Sequence, residues 1–389
     1  MSPDLSPALR VALLTPCFWP EVRRGGERFV RELADGLIGA GHRPRLITSH
    51  RGWPSRSLEA GLPVLRVPRP PLGPLGQRVE ELSSHTPLSW LALHAGQDDV
   101  AHAFHVPDAL AAARWGRRTG RPVVLSYLGI PRGDWLAGHG RRRLLSAAIS
   151  QCDAVVALSL YAADEFRTEF GYDAEVIYPP VDIEGFRPMT SRASTPTFVC
   201  AADVTEPRKH VALAVAALAL VRRELPSAQL VLSRPRDPSL AARASIRLSA
   251  PGVEWRDLDS RSVLRNAYAQ AWASVLPAPG EGFGLVLAEA LACGTPAVGF
   301  ADGGVPEVID RPGIGVQFDH LGPASLAEAM LAAAGLAQRS DTAARCRDRA
   351  LAFSRDRCAG RYLDVYRRLG ARPCDGYPAP ARPPRAATP

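Results

Sequence analysis

The sequence predicts an α/β protein made of two Rossmann-like domains, each a parallel sheet covered by helices. Two observations predict it. Short apolar runs of strand length alternate with longer amphipathic runs through both halves of the chain, a pattern in which each strand needs a helical crossover before the next parallel strand. The length of 389 residues, 46% of them hydrophobic, supplies enough apolar surface for two separate cores.

In order along the chain, residues 11–14 read as a strand. A loop carrying Pro16, Trp19, Pro20, Gly25 and Gly26 then leads into a helix over 27–39. Gly41 and His42 precede a second strand at 45–48, and the proline- and arginine-rich stretch 53–78 is expected to be a long loop. A strand at 123–127 follows, with His102 and His105 at the end of the strand before it. Residues 187–196 are polar and unpatterned, which suits a connection between domains. Beyond them, strands at 198–201 and 229–233 flank a helix over 211–224, and helical periodicity returns at 353–369. From Ala371 the proline, alanine and arginine content predicts a disordered tail.

Charge and cysteine usage exclude several functions. The formal net charge of +8 divides as +3 over 1–180 (21 basic against 18 acidic), +3 over 181–370 (23 against 20) and +2 over the tail (3 against 1). Such an even spread argues against a nucleic-acid stripe. The seven cysteines form no metal-like pairs and are odd in number, which points to a reduced, cytoplasmic protein with thiols as small buried hydrophobes. The N-terminal residues lack a signal-peptide pattern, and no apolar run approaches the length needed to span a bilayer. Arg66, Arg69, Arg78 and the run 141–143 are either a solvated basic face or a peripheral membrane contact.

The most informative stretch is 277–309. Pro277, Pro279, Gly280, Gly282 and Gly284 break regular structure, and 285–293 then reads as an apolar, largely buried helix. Glu281 therefore falls in the loop and Glu289 near the second helical turn. Between them the helix start, with the amides of Phe283, Gly284 and Leu285, offers unpaired N–H groups and a positive dipole end that suit a phosphate. A second signal is scarcity. Among 47 basic residues only Lys209 is a lysine, the compact point charge where every other position carries the planar fork of arginine.

Glu281, seven intervening residues and Glu289, continued by Cys293–Pro296 and Gly303–Ile309, resemble the signature of the family 4 retaining glycosyltransferases of the GT-B fold. That resemblance implies two Rossmann-like domains with a cleft between them: an acceptor-side domain over 1–185, a linker at 186–197, a donor domain over 198–352, a helix at 353–370 crossing back, and the tail 371–389. It implies that Glu281 touches hydroxyls of the transferred sugar, that Glu289 binds the nucleotide ribose, and that Lys209, with Arg208 beside it, meets the donor diphosphate. Gly25 and Gly26 resemble the opening loop whose glycines let backbone approach the phosphates; as residues alone they could instead only cap or turn the chain. Two departures stand out: Asp203 occupies the place of an arginine before the lysine, and Leu128 that of a histidine near the reacting sugar. Arg208 could supply the missing charge or pair with Asp203. His102 and His105 are acceptor-side candidates, either reaching the cleft or satisfied within the fold.

What the resemblance implies is a cytoplasmic, retaining, metal-independent hexosyl transfer from a nucleotide sugar, a UDP-sugar being favoured, to a hydroxyl of a small-molecule or cell-envelope acceptor. An aminocyclitol antibiotic or an envelope glycan fits the composition and the family's habits. No other cofactor is expected, and no Asp-x-Asp metal motif occurs where a cation would bridge the phosphates. Two alternatives stay open: a degenerate member serving as a binding or scaffold subunit, and another GT-B chemistry such as nucleotide-sugar epimerisation.

Overall fold

The computed structural model describes residues 7–20, 25–69, 84–136, 140–189 and 191–373. Arg78 and the tail beyond Pro373 lie outside the described residues. The chain divides into two compact units, one of 1–180 with 355–389 and one of 181–354.

The first unit runs β1 (Arg10–Leu14), α1 (Gly25–Gly39), β2 (Arg43–His50), β3 (Ser55–Glu59), β4 (Leu62–Pro68), α2 (Thr86–His94), β5 (Val100–Ala103), α3 (Val106–Thr119), β6 (Val123–Tyr127), α4 (Gly133–Leu136), α5 (Arg141–Gln151), β7 (Ala154–Ala157), α6 (Leu160–Phe170) and β8 (Glu175–Val176). Its eight-stranded sheet is ordered β3-β4-β2-β1-β5-β6-β7-β8, and all pairs are parallel except β3 with β4. The central strands are buried on both faces, as a parallel sheet between helices requires. In α1, Phe29, Val30, Leu33, Ala34 and Leu37 form the buried stripe.

The stretch 53–78 is corrected here: it is not one long loop, because β3 and β4 form an antiparallel hairpin within it. Ala60 and Gly61, both at positive φ, make the two-residue turn such hairpins favour. Arg31 of α1 holds that turn through the carbonyls of Glu59, at 2.7 Å, and Ala60, at 3.1 Å.

The second unit runs β9 (Thr197–Cys200), a 3-10 turn (Pro207–Lys209), α7 (Val211–Glu224), β10 (Gln229–Ser233), α8 (Pro238–Arg247), β11 (Val253–Arg256), α9 (Arg261–Gln270), β12 (Ala273–Leu276), α10 (Leu285–Ala292), β13 (Ala297–Phe300), α11 (Val305–Val308), β14 (Gly315–Phe318), α12 (Pro323–Ala337) and α13 (Thr342–Leu351). Its sheet is ordered β11-β10-β9-β12-β13-β14 and is parallel throughout. Within the segment 186–197, expected as a linker, Arg192 and Ala193 bond to this unit. Arg192 donates to the carbonyls of Ala271, at 2.7 Å, and Gly294, at 2.6 Å, while Trp272 Nε1 donates to the Ala193 carbonyl at 2.8 Å.

The final helix, α14 (Arg355–Arg368), belongs to the first unit. It crosses α1 closely at Gly36, where an added Cβ would sit 2.9 Å from the Ala359 methyl. Beside that crossing, Arg355 Nε and Nη2 donate to Glu32 Oε2 at 2.9 and 2.6 Å.

Candidate functional site

In an open parallel sheet, ligands sit beyond the carboxyl ends of the strands, where the strand order reverses. In the second sheet that reversal lies between β9 and β12. The chain leaving β9 reaches Lys209, and the chain leaving β12 reaches Glu281. These two sequence candidates are brought together: the Lys209 ammonium pairs directly with Glu281 Oε1. Arg208 Nη1 lies 3.3 Å from the same oxygen, and its Nε pairs with the Glu206 carboxylate. The Lys209 and Glu281 side chains are 15% and 12% exposed, so the pair sits at the rim of the unit rather than in open solvent.

Local sequence explains the geometry. His210 adopts a left-handed conformation, φ 47°, that ends the Pro207–Lys209 turn and starts α7. Asp203 is occupied nearby, its Oδ1 accepting from the Thr205 amide at 2.9 Å and the Thr205 hydroxyl at 2.6 Å. Such a side-chain turn is a common use of aspartate. Arg208 therefore contacts Glu206 and Glu281 rather than Asp203.

The Glu281 loop is held from behind by its neighbour. Asp302 Oδ2 accepts from the Gly280 amide at 2.8 Å, and the Gly304 amide donates to the Glu281 carbonyl at 2.8 Å. A Cβ on Gly304 would stand 2.6 Å from the Gly282 oxygen and 2.7 Å from the Phe283 Cα, so backbone packs directly on backbone here. Phe283 turns its side chain inward and meets Phe353 edge-on, ring centroids 5.0 Å apart. Arg349 lies over that Phe353 ring at 4.4 Å and donates to the Glu307 and Val308 carbonyls. Gly284, at φ 95°, is the residue before α10, whose first turn opens at Leu285 beside the Glu281 loop. Glu289 is buried within α10, 3% exposed. Burial, with the Glu289 charge next in effect, pushes the Cys293 thiol up to about 12.

In the first unit the strand order reverses between β1 and β5. Gly25 and Gly26 open α1, two residues earlier than the periodicity predicts. A Cβ on Gly25 would meet nothing within 4 Å, whereas one on Gly26 would come 3.2 Å from Leu128 Cδ1. Leu128 thus lies beside Gly26. His105 follows β5 and holds the cap position of α3 in an extended conformation, half-buried. Of the two readings open for His102, the structure shows the one satisfied within the fold. The residue is fully buried in β5, with Nδ1 2.7 Å from Tyr366 Oη and Nε2 2.7 Å from Ser126 Oγ, and Ser126 in turn 2.7 Å from Tyr362 Oη. A histidine enclosed this way packs the core and presents nothing to an acceptor.

Asp302, Glu206 and Arg349 were not among the sequence candidates. Asp302 adjoins the Gly303–Gly304 pair and Glu206 the Pro207–Lys209 turn, so both had a local signal; Arg349 is far along the chain and had none. Among the described residues no group of three or more His, Cys, Asp or Glu side chains could hold a metal ion, and no helix is long and apolar enough to cross a membrane.

Two family models match the chain: Glycosyltransferase Family 4 over residues 23–184 and Glycosyl transferases group 1 over residues 195–335. The D-inositol 3-phosphate glycosyltransferase 1 of Catenulispora acidiphila is 29% identical over 267 residues, 61% of this chain and 64% of that protein. The D-inositol 3-phosphate glycosyltransferase of Nocardiopsis dassonvillei is 28% identical over 353 residues, 81% of this chain and 82% of its own length. The chain spans less than two thirds of the Catenulispora relative and of its Streptomyces bingchenggensis counterpart, 64% in each case. Among solved structures, a sucrose-phosphate synthase from Thermosynechococcus elongatus superposes with a TM-score of 0.75 at 20% identity, covering 93% of this chain and 99% of that one. Anabaena HepE in complex with UDP and glucose gives 0.71 at 18% identity, covering 92% and 99%. With these two fold likenesses and a family match running through both units, the chain belongs to the family 4, group 1 glycosyltransferases of GT-B fold.

Proposed function

We propose that the chain transfers a sugar, with retention of anomeric configuration and without a metal ion, from a nucleoside diphosphate sugar to a hydroxyl acceptor. A UDP-sugar is the favoured donor. The observation that carries this is the meeting of Lys209, Arg208 and Glu281 at the strand-order reversal of the second sheet, beside the start of α10. Departure of a diphosphate needs fixed positive potential as the sugar carbon becomes oxocarbenium-like. Lys209 and Arg208 would supply it with the first amides of α10, which have no intrahelical acceptor. Glu281 would then hold sugar hydroxyls and offset positive charge at the anomeric centre. In a same-face displacement the acceptor proton would pass to a phosphate oxygen, so no separate general base is assigned.

The names of the relatives favour one acceptor class. Their D-inositol 3-phosphate names support a cyclitol or phosphorylated cyclitol acceptor here, consistent with the aminocyclitol or envelope products that the composition and the family resemblance imply.

The experiment is a transfer assay on the purified protein with UDP-glucose, UDP-N-acetylglucosamine and their GDP, ADP and dTDP counterparts, inositol phosphate as acceptor, and NMR of the product. Nucleotide release with an anomeric configuration matching the donor, undiminished by EDTA, is expected. An inverted product, or activity abolished by EDTA and restored by a divalent cation, would overturn the retaining, metal-independent scheme. No turnover with any donor would favour a binding subunit, the role that Leu128 beside Gly26 suggests.

A further inference from the structure

Glu281 is already engaged before any donor arrives. One of its carboxylate oxygens takes both Lys209 Nζ and Arg208 Nη1, and Glu206 takes Arg208 Nε. The four side chains, two cations and two carboxylates, make a neutral cluster. A diphosphate coming to Lys209 and Arg208 meets a site whose anion is present. The Glu281 backbone cannot withdraw to make room, because the Gly304 amide holds its carbonyl and the 280–283 and 302–304 loops touch backbone to backbone. Only the side chain can swing. Asp203, already taken by Thr205, does not contact either cation in its place.

Resting on the donor-site assignment above, we propose that the Glu281 carboxylate is an internal competitor for the diphosphate, displaced on donor binding and recaptured on product release. When a nucleotide sugar binds, the cations pass to the phosphates and the released carboxylate finds the sugar hydroxyls, so its lost ion pairs are replaced. When only the nucleoside diphosphate remains after transfer, the carboxylate has no hydroxyl partner and returns to Lys209 and Arg208. The same residue therefore favours the sugar-bearing donor over the bare diphosphate and speeds departure of the product. The pair is only slightly exposed, so solvent does not remove the competition.

The test is calorimetric binding of UDP, UDP-glucose and inorganic pyrophosphate to the wild type, Glu281→Gln and Lys209→Ala, with Glu281→Ser as a second way of removing the charge. Pyrophosphate makes the result independent of the base. Removing the Glu281 charge is expected to tighten UDP and pyrophosphate about fivefold, equivalent to about 1 kcal/mol, while UDP-glucose tightens less or weakens, because it loses the hydroxyl contact. Lys209→Ala is expected to weaken all three ligands. Equal or weaker UDP and pyrophosphate binding in both Glu281 variants, with Lys209→Ala still disruptive, would overturn the competitor role and leave the donor site standing. Wild-type affinity in Lys209→Ala, or no saturable binding of any ligand to any form, would overturn the donor-site assignment and the competitor role with it.

Discussion

Acidification should weaken the first unit through His102. Burial without an ionic partner pushes its imidazole down to about 3, from 6.5 for an exposed histidine. The depressed value sets the sign. Above the unfolded value both states carry a neutral ring and the group is silent; below it the unfolded chain takes a proton that the folded one refuses, so stability falls until the pH reaches the folded value. At about pH 4.5 the loss is about 2.5 kcal/mol relative to neutral pH. Other groups titrate over the same range, so His102→Gln, which keeps polar atoms but carries no titratable ring, is the reference. Hydrogen exchange read on peptides covering β5 and β6 reports the first unit by itself, which avoids treating two units as a single transition. The wild type should lose about 2.5 kcal/mol more than His102→Gln between neutral pH and pH 4.5. Parallel pH dependences, differing by less than about 0.5 kcal/mol, would refute the neutral, enclosed imidazole.

Further outcomes follow from the packing. Gly304→Ala forces the Glu281 loop away from its backbone neighbour; UDP affinity should drop by about tenfold while urea unfolding shifts by only about 1–3 kcal/mol. Arg355→Ala removes the guanidinium from the buried Glu32 carboxylate, and exchange in α1 should show about 2–3 kcal/mol lost. Burial pushes the thiols of Cys152 and Cys346 up to about 12 and that of Cys200 up to about 11. Ellman titration at about pH 8 should therefore find these three unreactive until denaturant is added. Arg349→Leu, which frees the Glu307 and Val308 carbonyls, should raise KM for the donor more than it lowers kcat.

What could be seen in the sequence follows how local each feature is. The alternation of apolar runs and amphipathic helices reports burial on both faces of a strand, and β1, β6, β9 and β10 lie within one residue of where it puts them. The hairpin strand β3 escaped because it is an edge strand with nearly every residue exposed, leaving no alternation to read. The Glu281 loop and α10 were legible because breakers, an apolar helix and their spacing lie within one stretch. Lys209 was legible through scarcity. Its pairing with Glu281, 72 residues away, and the closure of His102 by Tyr366, 264 residues away, depend on the fold being complete. The bonds made by the expected linker were illegible for the same reason, since Arg192 and Ala193 look unpatterned until the carbonyls of Gln270, Ala271 and Gly294 come to meet them.

The most direct measurement of the central claim, that Lys209 and the Glu281 loop form a nucleotide-sugar donor site, is calorimetry of UDP, GDP, ADP and dTDP against the purified protein beside Lys209→Ala. Selective binding of one nucleotide, UDP foremost, at about micromolar Kd or −8 kcal/mol, weakened by at least about tenfold in Lys209→Ala, is the predicted result. Equal affinities for the two proteins, or no binding of any of the four, would contradict it.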